Sequence, residues 1–264
     1  MNISLKGKSA LVTGSTLGIG FAIAKGLAAS GAKTYVNGRT ADRVAEAVKL
    51  IKQEIPDADV KGIVADLQDK KGADKLFAEL KEVDILVNNL GIFEAKPFFE
   101  ITDEDWQKFY DVNVMSAIRM SRFYTPKMVD KKWGRVLFIA SESAIQIPTE
   151  MVHYGMTKTA MLAISRGLAQ TVAGSGVTVN TVLPGPTKTE GVEVFVKSLS
   201  STPEAPFAVQ EQEFFKVARP GSLIKRFIKT EEVASMVTYL SSDLASATTG
   251  AGLRVDGGVA PFIL

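Results

Sequence analysis

The sequence predicts an α/β fold: a doubly wound parallel sheet with helices on both faces, three layers deep. Three observations carry that prediction. Apolar runs of strand length alternate with longer stretches of helical periodicity along most of the chain, which is the signature of β-α-β units. The first of these runs passes directly into a glycine-rich turn and then into a helix. Finally, 264 residues, 46% of them hydrophobic, suffice for one sizeable core, and no linker or charge run divides them, so residues 1–264 are read as a single domain.

The elements follow in order. Residues 8–13 form a short buried strand that ends in Gly14-Ser15-Thr16-Leu17-Gly18-Ile19-Gly20. Ile19, Ala22, Ile23, Gly26 and Leu27 then recur at helical spacing, and Ser30-Gly31 supplies a stop. Further strands are expected at 34–37, 60–64, 85–88, 135–139, 178–183 and 253–255. The clearest remaining helices are 41–55, 103–129, 153–173 and 231–240. In such a sheet the carboxyl ends of the strands border the ligand crevice, and Gly14, Asn88, Ser141 and Pro184 all fall just beyond such ends.

Two motifs carry chemistry. The glycines let backbone approach a pyrophosphate, whose charge is favoured by the amides and dipole of the helix N-terminus. Tyr154 and Lys158 stand four residues apart on one helical face, with Ser141 thirteen residues before Tyr154. A free phenol titrates near about 10, and a neighbouring ammonium lowers that value toward the working range of an acid and base.

Composition excludes other classes. A net charge of +2 gives no nucleic-acid footprint, and Lys70-Lys71 and Lys131-Lys132 read as solvated surface. With one histidine and no cysteine, the usual transition-metal sets cannot form and disulfides are excluded, so no metal site is expected. No apolar run is long enough to cross a bilayer and no signal peptide is evident; a soluble cytoplasmic protein without membrane or nucleic-acid partners is the expectation.

Taken together, Thr13-Gly14-x-x-x-Gly18-Ile19-Gly20, Asn88-Asn89-Leu90-Gly91, Asn113, Ser141, Tyr154-x-x-x-Lys158 and Pro184-Gly185 resemble, in order, the short-chain dehydrogenase/reductase family over residues 6–258. Leu90 departs from that pattern, which has alanine there, so a bulkier side chain must be accommodated. The resemblance implies a Rossmann-type fold, hydride transfer with Tyr154 as acid and base, Lys158 lowering its pKa and holding the nicotinamide ribose, and Ser141 orienting the carbonyl. Asn113 would complete the catalytic set by holding a water that relays protons to Lys158; its plainer alternative is a local bend in its helix. Cofactor contacts are implied at Gly14, Ser15, Thr16, Gly18, Ile19, Gly20, Gly91, Pro184, Gly185, Thr187 and Thr189, besides Tyr154 and Lys158. Asp66 would accept from the adenine amino group, its alternative being a helix N-cap. Asn88 would brace the central strands while adjoining backbone lines the ribose pocket, and Asn89 is read as structural.

Cofactor choice rests on the end of the second strand. NAD-binding chains usually place an acid where this chain has Gly38, and the following Arg39 offers a guanidinium suited to a phosphate, so NADP(H) is expected over NAD(H). Residues 187–222, with Val192, Phe195, Val196, Leu199, Phe207, Phe214 and Phe215, resemble a substrate lid. Phe93, Ser143 and Ile145 join Ser141 and Tyr154 as candidate substrate contacts, with Glu94, Met151 and His153 as further wall, His153 being pocket wall or surface. Glu94 and Glu142 could select a polar hydroxyl. The leading function is an NADP-dependent carbonyl or 3-oxoacyl reductase; alternatives are an NAD(P)-dependent alcohol, sugar or steroid dehydrogenase and a non-catalytic dinucleotide sensor. Family members associate through the helices at 103–129 and 153–173 and the segment 250–258, which implies a homotetramer or homodimer.

Overall fold

The computed structural model describes residues 3–263. Seven parallel strands form one sheet in the order β3-β2-β1-β4-β5-β6-β7, with β1 Ser9–Val12, β2 Lys33–Gly38, β3 Val60–Val64, β4 Ile85–Asn88, β5 Gly134–Ile139, β6 Val177–Pro184 and β7 Gly252–Val255. Chain order reverses between β1 and β4, which opens a crevice at the carboxyl ends of these two strands. Nine helices connect them among the described residues: α1 Gly18–Ala29, α2 Ala41–Glu54, α3 Lys70–Glu79, α4 Asp103–Tyr110, α5 Ser116–Asp130, α6 Val152–Thr171, α7 Glu190–Leu199, α8 Phe207–Val217 and α9 Thr230–Leu240.

The period-two alternation of the strands sorts side chains into two cores. Ala10 and Val12 of β1 and Leu137 and Ile139 of β5 face α1, α2 and α9, where Ile23, Leu27, Ile51 and Val237 are buried. Leu11, Val136 and Phe138 point the other way, onto α3, α5 and α6, against Leu76, Met120, Tyr124 and Met161. Both faces of the sheet are covered, which is why its strands read as continuous apolar runs.

Three features differ from the sequence expectation. The helix over 103–129 is not regular: a turn of π-helix at Asp111–Met115 separates α4 from α5. Helix α3 is capped by Asp69, whose carboxylate accepts from Gly72 N at 2.8 Å, so the cap is Asp69 and not Asp66. Residues 187–222, expected as a lid, contain two helices, α7 and α8, whose Val196, Phe214 and Phe215 form with Phe227 a third apolar cluster separate from the two cores.

Candidate active site

The glycine loop is built for close approach. Gly14 and Gly18 adopt φ of +59° and +58°, which side chains disfavour, and a Cβ at Gly20 would lie 2.4 Å from Asn89 Nδ2 and 2.6 Å from Gly14 O. The loop is tied to the end of β4: Asn89 Nδ2 donates to Thr13 O and Gly14 O at 2.9 Å, and Thr13 Oγ1 accepts from the amides of Asn89 and Leu90 at 3.0 Å. Leu90 is accommodated because it packs over Gly14, where a Cβ would come within 3.2 Å of Leu90 Cδ1. Leu17 precedes α1 without a side-chain cap and no acid stands in its first turn. The open amides and absent side chains fit an anionic pyrophosphate.

A crevice of about 600 Å³ runs from this loop across β4 and β5 to the lid. Gly14, Gly18, Ile19, Gly20, Gly91, Phe93, Ser141, Ser143, Tyr154, Lys158, Pro184, Gly185, Thr187 and Thr189 line it, as does Met151. Ser141 follows β5 and opens a short 3-10 turn, Glu142–Ala144; its Oγ accepts from Ser143 N at 3.1 Å and lies 2.5 Å from Glu142 Oε2. Tyr154 is in the first turn of α6, its ring edge-on to Phe93 at 6.4 Å. Lys158, one turn on, donates from Nζ to Ile139 O at 2.9 Å and sits 5.5 Å from the Tyr154 ring centre. Gly91 is small enough for both neighbours: a Cβ there would be 3.3 Å from Lys158 Nζ and 3.4 Å from Asn113 Oδ1.

Asn113 lies behind the crevice, on the π turn. Its Oδ1 accepts from Ile92 N at 2.7 Å, and its Nδ2 donates to Ile92 O and Thr157 Oγ1, both at 3.0 Å. The side chain thus fixes the wall that carries Phe93 to the helix that carries Lys158, and the local helical distortion and the contact to the site occur at one residue.

Electrostatics correct one expectation. Tyr154 is shifted upward, first because burial opposes the phenolate; a negative charge on the adjacent Glu142 would oppose it further, while Ser141 pulls the other way. Lys158 does not overcome this: burial brings its own pKa down to about 8. Glu142, also buried, is raised by desolvation against the opposing pull of Ser141 and Arg219.

Other expected residues are placed as follows. Ser15 turns inward, its Oγ donating to Val12 O at 2.6 Å, and Asn88 reaches Ser121 Oγ at 3.0 Å, so both brace the frame and do not face the crevice. Thr16 packs its methyl over Gly38, where a Cβ would meet Thr16 Cγ2 at 2.5 Å and Val44 Cγ2 at 3.0 Å. Arg39 is exposed just past β2; Asp66, at the end of the neighbouring strand β3, accepts from Gln68 N and Gln68 Nε2 at 3.2 Å. Ile145 leaves the site, because the 3-10 turn swings it onto Ala140, Ala144 and Leu183. His153 is neither wall nor surface: fully buried, it packs on Phe109 at 4.0 Å and Trp106 at 6.0 Å between ring centres, and neither nitrogen has a partner. Leu199 of the lid stays exposed.

Arg219, after α8, escaped the sequence reading. It lines the crevice from the lid side, its Nη1 donating to Glu150 Oε1 at 3.1 Å and its Nε lying 3.6 Å from Glu142 Oε1. A lone arginine between apolar lid residues carries no motif; its only mark was that position. Among the described residues no group of acids, histidine or cysteine is arranged to hold a metal ion, and no helix is long and apolar enough to cross a membrane.

Comparison with known proteins agrees with this geometry. Residues 14–260 match the family model described as enoyl-(acyl carrier protein) reductase. The chain is 50% identical to the uncharacterized oxidoreductase YvaG of Bacillus subtilis, over 98% of each chain. It is 33% identical to the 3-oxoacyl-[acyl-carrier-protein] reductase FabG of Escherichia coli, over 97% of this chain and 99% of that one. Its structure superposes on L-sorbose reductase of Gluconobacter frateurii, complexed with NADPH and L-sorbose, with a TM-score of 0.91 and 31% identity over the full length of both. With the open glycine loop and the Ser141, Tyr154 and Lys158 cluster at one strand edge, these matches show that the chain belongs to the short-chain dehydrogenase/reductase family of NAD(P)-dependent oxidoreductases.

Proposed function

We propose that the protein is an NADP-dependent reductase that converts a ketone or 3-oxoacyl carbonyl into a secondary alcohol. The observation that carries this reading is the convergence of Ser141, Tyr154 and Lys158 on one crevice beside the glycine loop, with Lys158 Nζ 5.5 Å from the Tyr154 ring centre, so that a phenol stands where a proton donor to a carbonyl oxygen is needed. The dinucleotide, held by the glycine loop and by Lys158, supplies the hydride when bound. Ser141 holds the carbonyl oxygen beside Tyr154, Tyr154 passes its proton to that oxygen, and the buried Lys158 favours the phenolate left behind. The relationship to FabG of Escherichia coli supports the acyl substrate class, and the apolar wall of Phe93, Val192, Phe195 and Phe214 suits it.

NADP is favoured because no side chain fits at Gly38 without displacing Thr16 or Val44, so the acid typical of NAD sites has no room and Arg39 is the first charge met. The NADPH complex of the Gluconobacter frateurii enzyme supports the same preference. A sugar ketone is the second reading, favoured by that protein's bound L-sorbose and by the polar Glu142 and Arg219 side chains on the crevice. Assembly as a homotetramer and action in the cytoplasm complete the proposal.

Tyr154→Phe tests it. Loss of the acid lowers kcat by about 10²–10⁴-fold with the melting temperature retained, and near-wild-type turnover in a folded variant refutes the mechanism. A panel of 3-oxoacyl thioesters, ketones and keto-sugars, run with NADPH and NADH, separates the two substrate readings. A preference for NADH overturns the cofactor assignment.

A further inference from the structure

We propose that Glu142 works as a neutral carboxyl that donates a hydrogen bond to Ser141 Oγ, leaving the proton of Ser141 free to point at the substrate oxygen. Glu142 is on this reading a positioning residue, and the inference rests on the carbonyl chemistry proposed for Ser141 and Tyr154. It begins from a count of hydrogens. Ser141 Oγ owns one proton and two lone pairs. One lone pair accepts from Ser143 N at 3.1 Å, and Glu142 Oε2 stands 2.5 Å away. If Glu142 were ionised, the serine proton would be spent on the carboxylate, and Ser141 would offer only a lone pair to an oxygen that also needs a donor. With the proton on Glu142, the carboxyl fills the second lone pair and Ser141 becomes a donor.

A count of charges agrees. Two carboxyl groups, Glu142 and Glu150, share one cation, Arg219. The guanidinium is hydrogen-bonded to Glu150 at 3.1 Å and only approaches Glu142, at 3.6 Å. The Glu142 side chain is 8% exposed and that of Glu150 34%, so desolvation places the shared proton on Glu142. Of the remaining groups around Glu142, the Ser143 amide favours a carboxylate, whereas the acidic neighbours oppose a second negative charge there. Asp256, after β7, is committed to Arg254 at 2.9 Å and adds repulsion, and Tyr154 on α6 must itself become anionic once it has given up its proton. A neutral Glu142 removes the like charge that the phenolate would otherwise face. The proton delivered to substrate comes from Tyr154 throughout; Glu142 and Ser141 keep theirs.

The test is infrared difference spectroscopy of the full-length enzyme across a pH titration, with Glu142→Gln and Glu142→Ala compared in turnover. Expected are a protonated-carboxyl C=O band at neutral pH in wild type that is missing from Glu142→Gln, and a reductive rate in Glu142→Gln about tenfold or more above that of Glu142→Ala, because the amide N–H still donates to Ser141. The alkaline fall in reductive rate that Glu142 adds in wild type, as it loses its proton, is also absent from Glu142→Gln, where only that of Tyr154 remains. Absence of the band, or equal damage in the two variants, overturns the proposal. Should Glu142→Gln not fold, Ser141→Ala decides: the band shifts when the carboxyl loses its acceptor, and an unshifted band overturns the proposal. The band needs no turnover, so failure of every substrate in the panel leaves it readable, whereas an active Tyr154→Phe sinks the reductase reading without moving it.

Discussion

Placing an aspartate at position 38 tests both the packing of the adenosine end and the proposed NADP preference. A Cβ there would lie 2.5 Å from Thr16 Cγ2, against about 3.5–4.0 Å for an ordinary carbon contact, so the pair is short by about 1 Å. Thr16 is β-branched and stiff, and Val44 Cγ2 at 3.0 Å blocks the other side, so the overlap cannot be relieved by rotation alone. Overpacking of this kind costs about 1–3 kcal/mol. At about 2–4 °C per kcal/mol, Gly38→Asp melts about 2–12 °C below wild type. Thr16→Ser removes the offending methyl, and the double variant recovers part of the loss, a coupling of about 0.5–3 kcal/mol in a double-mutant cycle. In the same variants the new carboxylate faces the extra phosphate of NADPH, and kcat/KM with NADPH falls by about tenfold or more relative to NADH. Calorimetry and steady-state rates with both cofactors read the two effects separately. Wild-type melting of Gly38→Asp, or zero coupling to Thr16→Ser, refutes the packing argument; an unchanged NADPH-to-NADH ratio refutes the placement of the phosphate.

Two further outcomes follow from buried polar groups. Asn113→Ala removes the partner of both the N–H and the C=O of Ile92 and lowers stability by about 1–3 kcal/mol in urea unfolding; full stability would reduce Asn113 to a water holder. His153 has a pKa below its ordinary 6.5 because burial disfavours the imidazolium. The unfolded chain therefore binds the extra proton, and His153 costs the fold stability as pH drops below 6.5, whereas above it the cost is absent. His153→Leu should flatten that acid slope in denaturation curves taken across pH 5–8, and an unchanged slope would assign the loss to the carboxylates.

The strands were legible because β4 and β5 are buried on both faces and so carry unbroken apolar runs of strand length. Tyr154 and Lys158 were legible because helical spacing alone puts them on one face, and the glycine loop because its positive φ values demand glycine. What escaped depends on contacts between distant segments. The direction of the Tyr154 shift is set by burial and by Glu142, and neither can be weighed before the crevice closes around them. His153 was read as pocket wall or surface because the aromatic rings that bury it lie on the distant helix α4. Ile145 sits beside Ser143 in the chain, but the intervening 3-10 turn rotates it inward. Arg219 meets Glu150 across the width of the site, a pairing that no local pattern encodes.

The separate apolar cluster of Val196, Phe214, Phe215 and Phe227 gives α7 and α8 an interior of their own. The buried apolar residues of α7 and α8 belong to this cluster and to neither core of the sheet, while Val194, Leu199, Val209 and Val217 stay exposed. Their contacts across the crevice include Arg219 on Glu150 and Glu142 and Phe195 edge-on to Phe93 at 6.1 Å. In hydrogen exchange the two helices should therefore release their amides together, well before the strands, as one cooperative unit. On the proposed reading of residues 187–222 as a substrate lid, the free energy of opening it is then set by these crevice contacts, independent of the far larger stability of the sheet beneath.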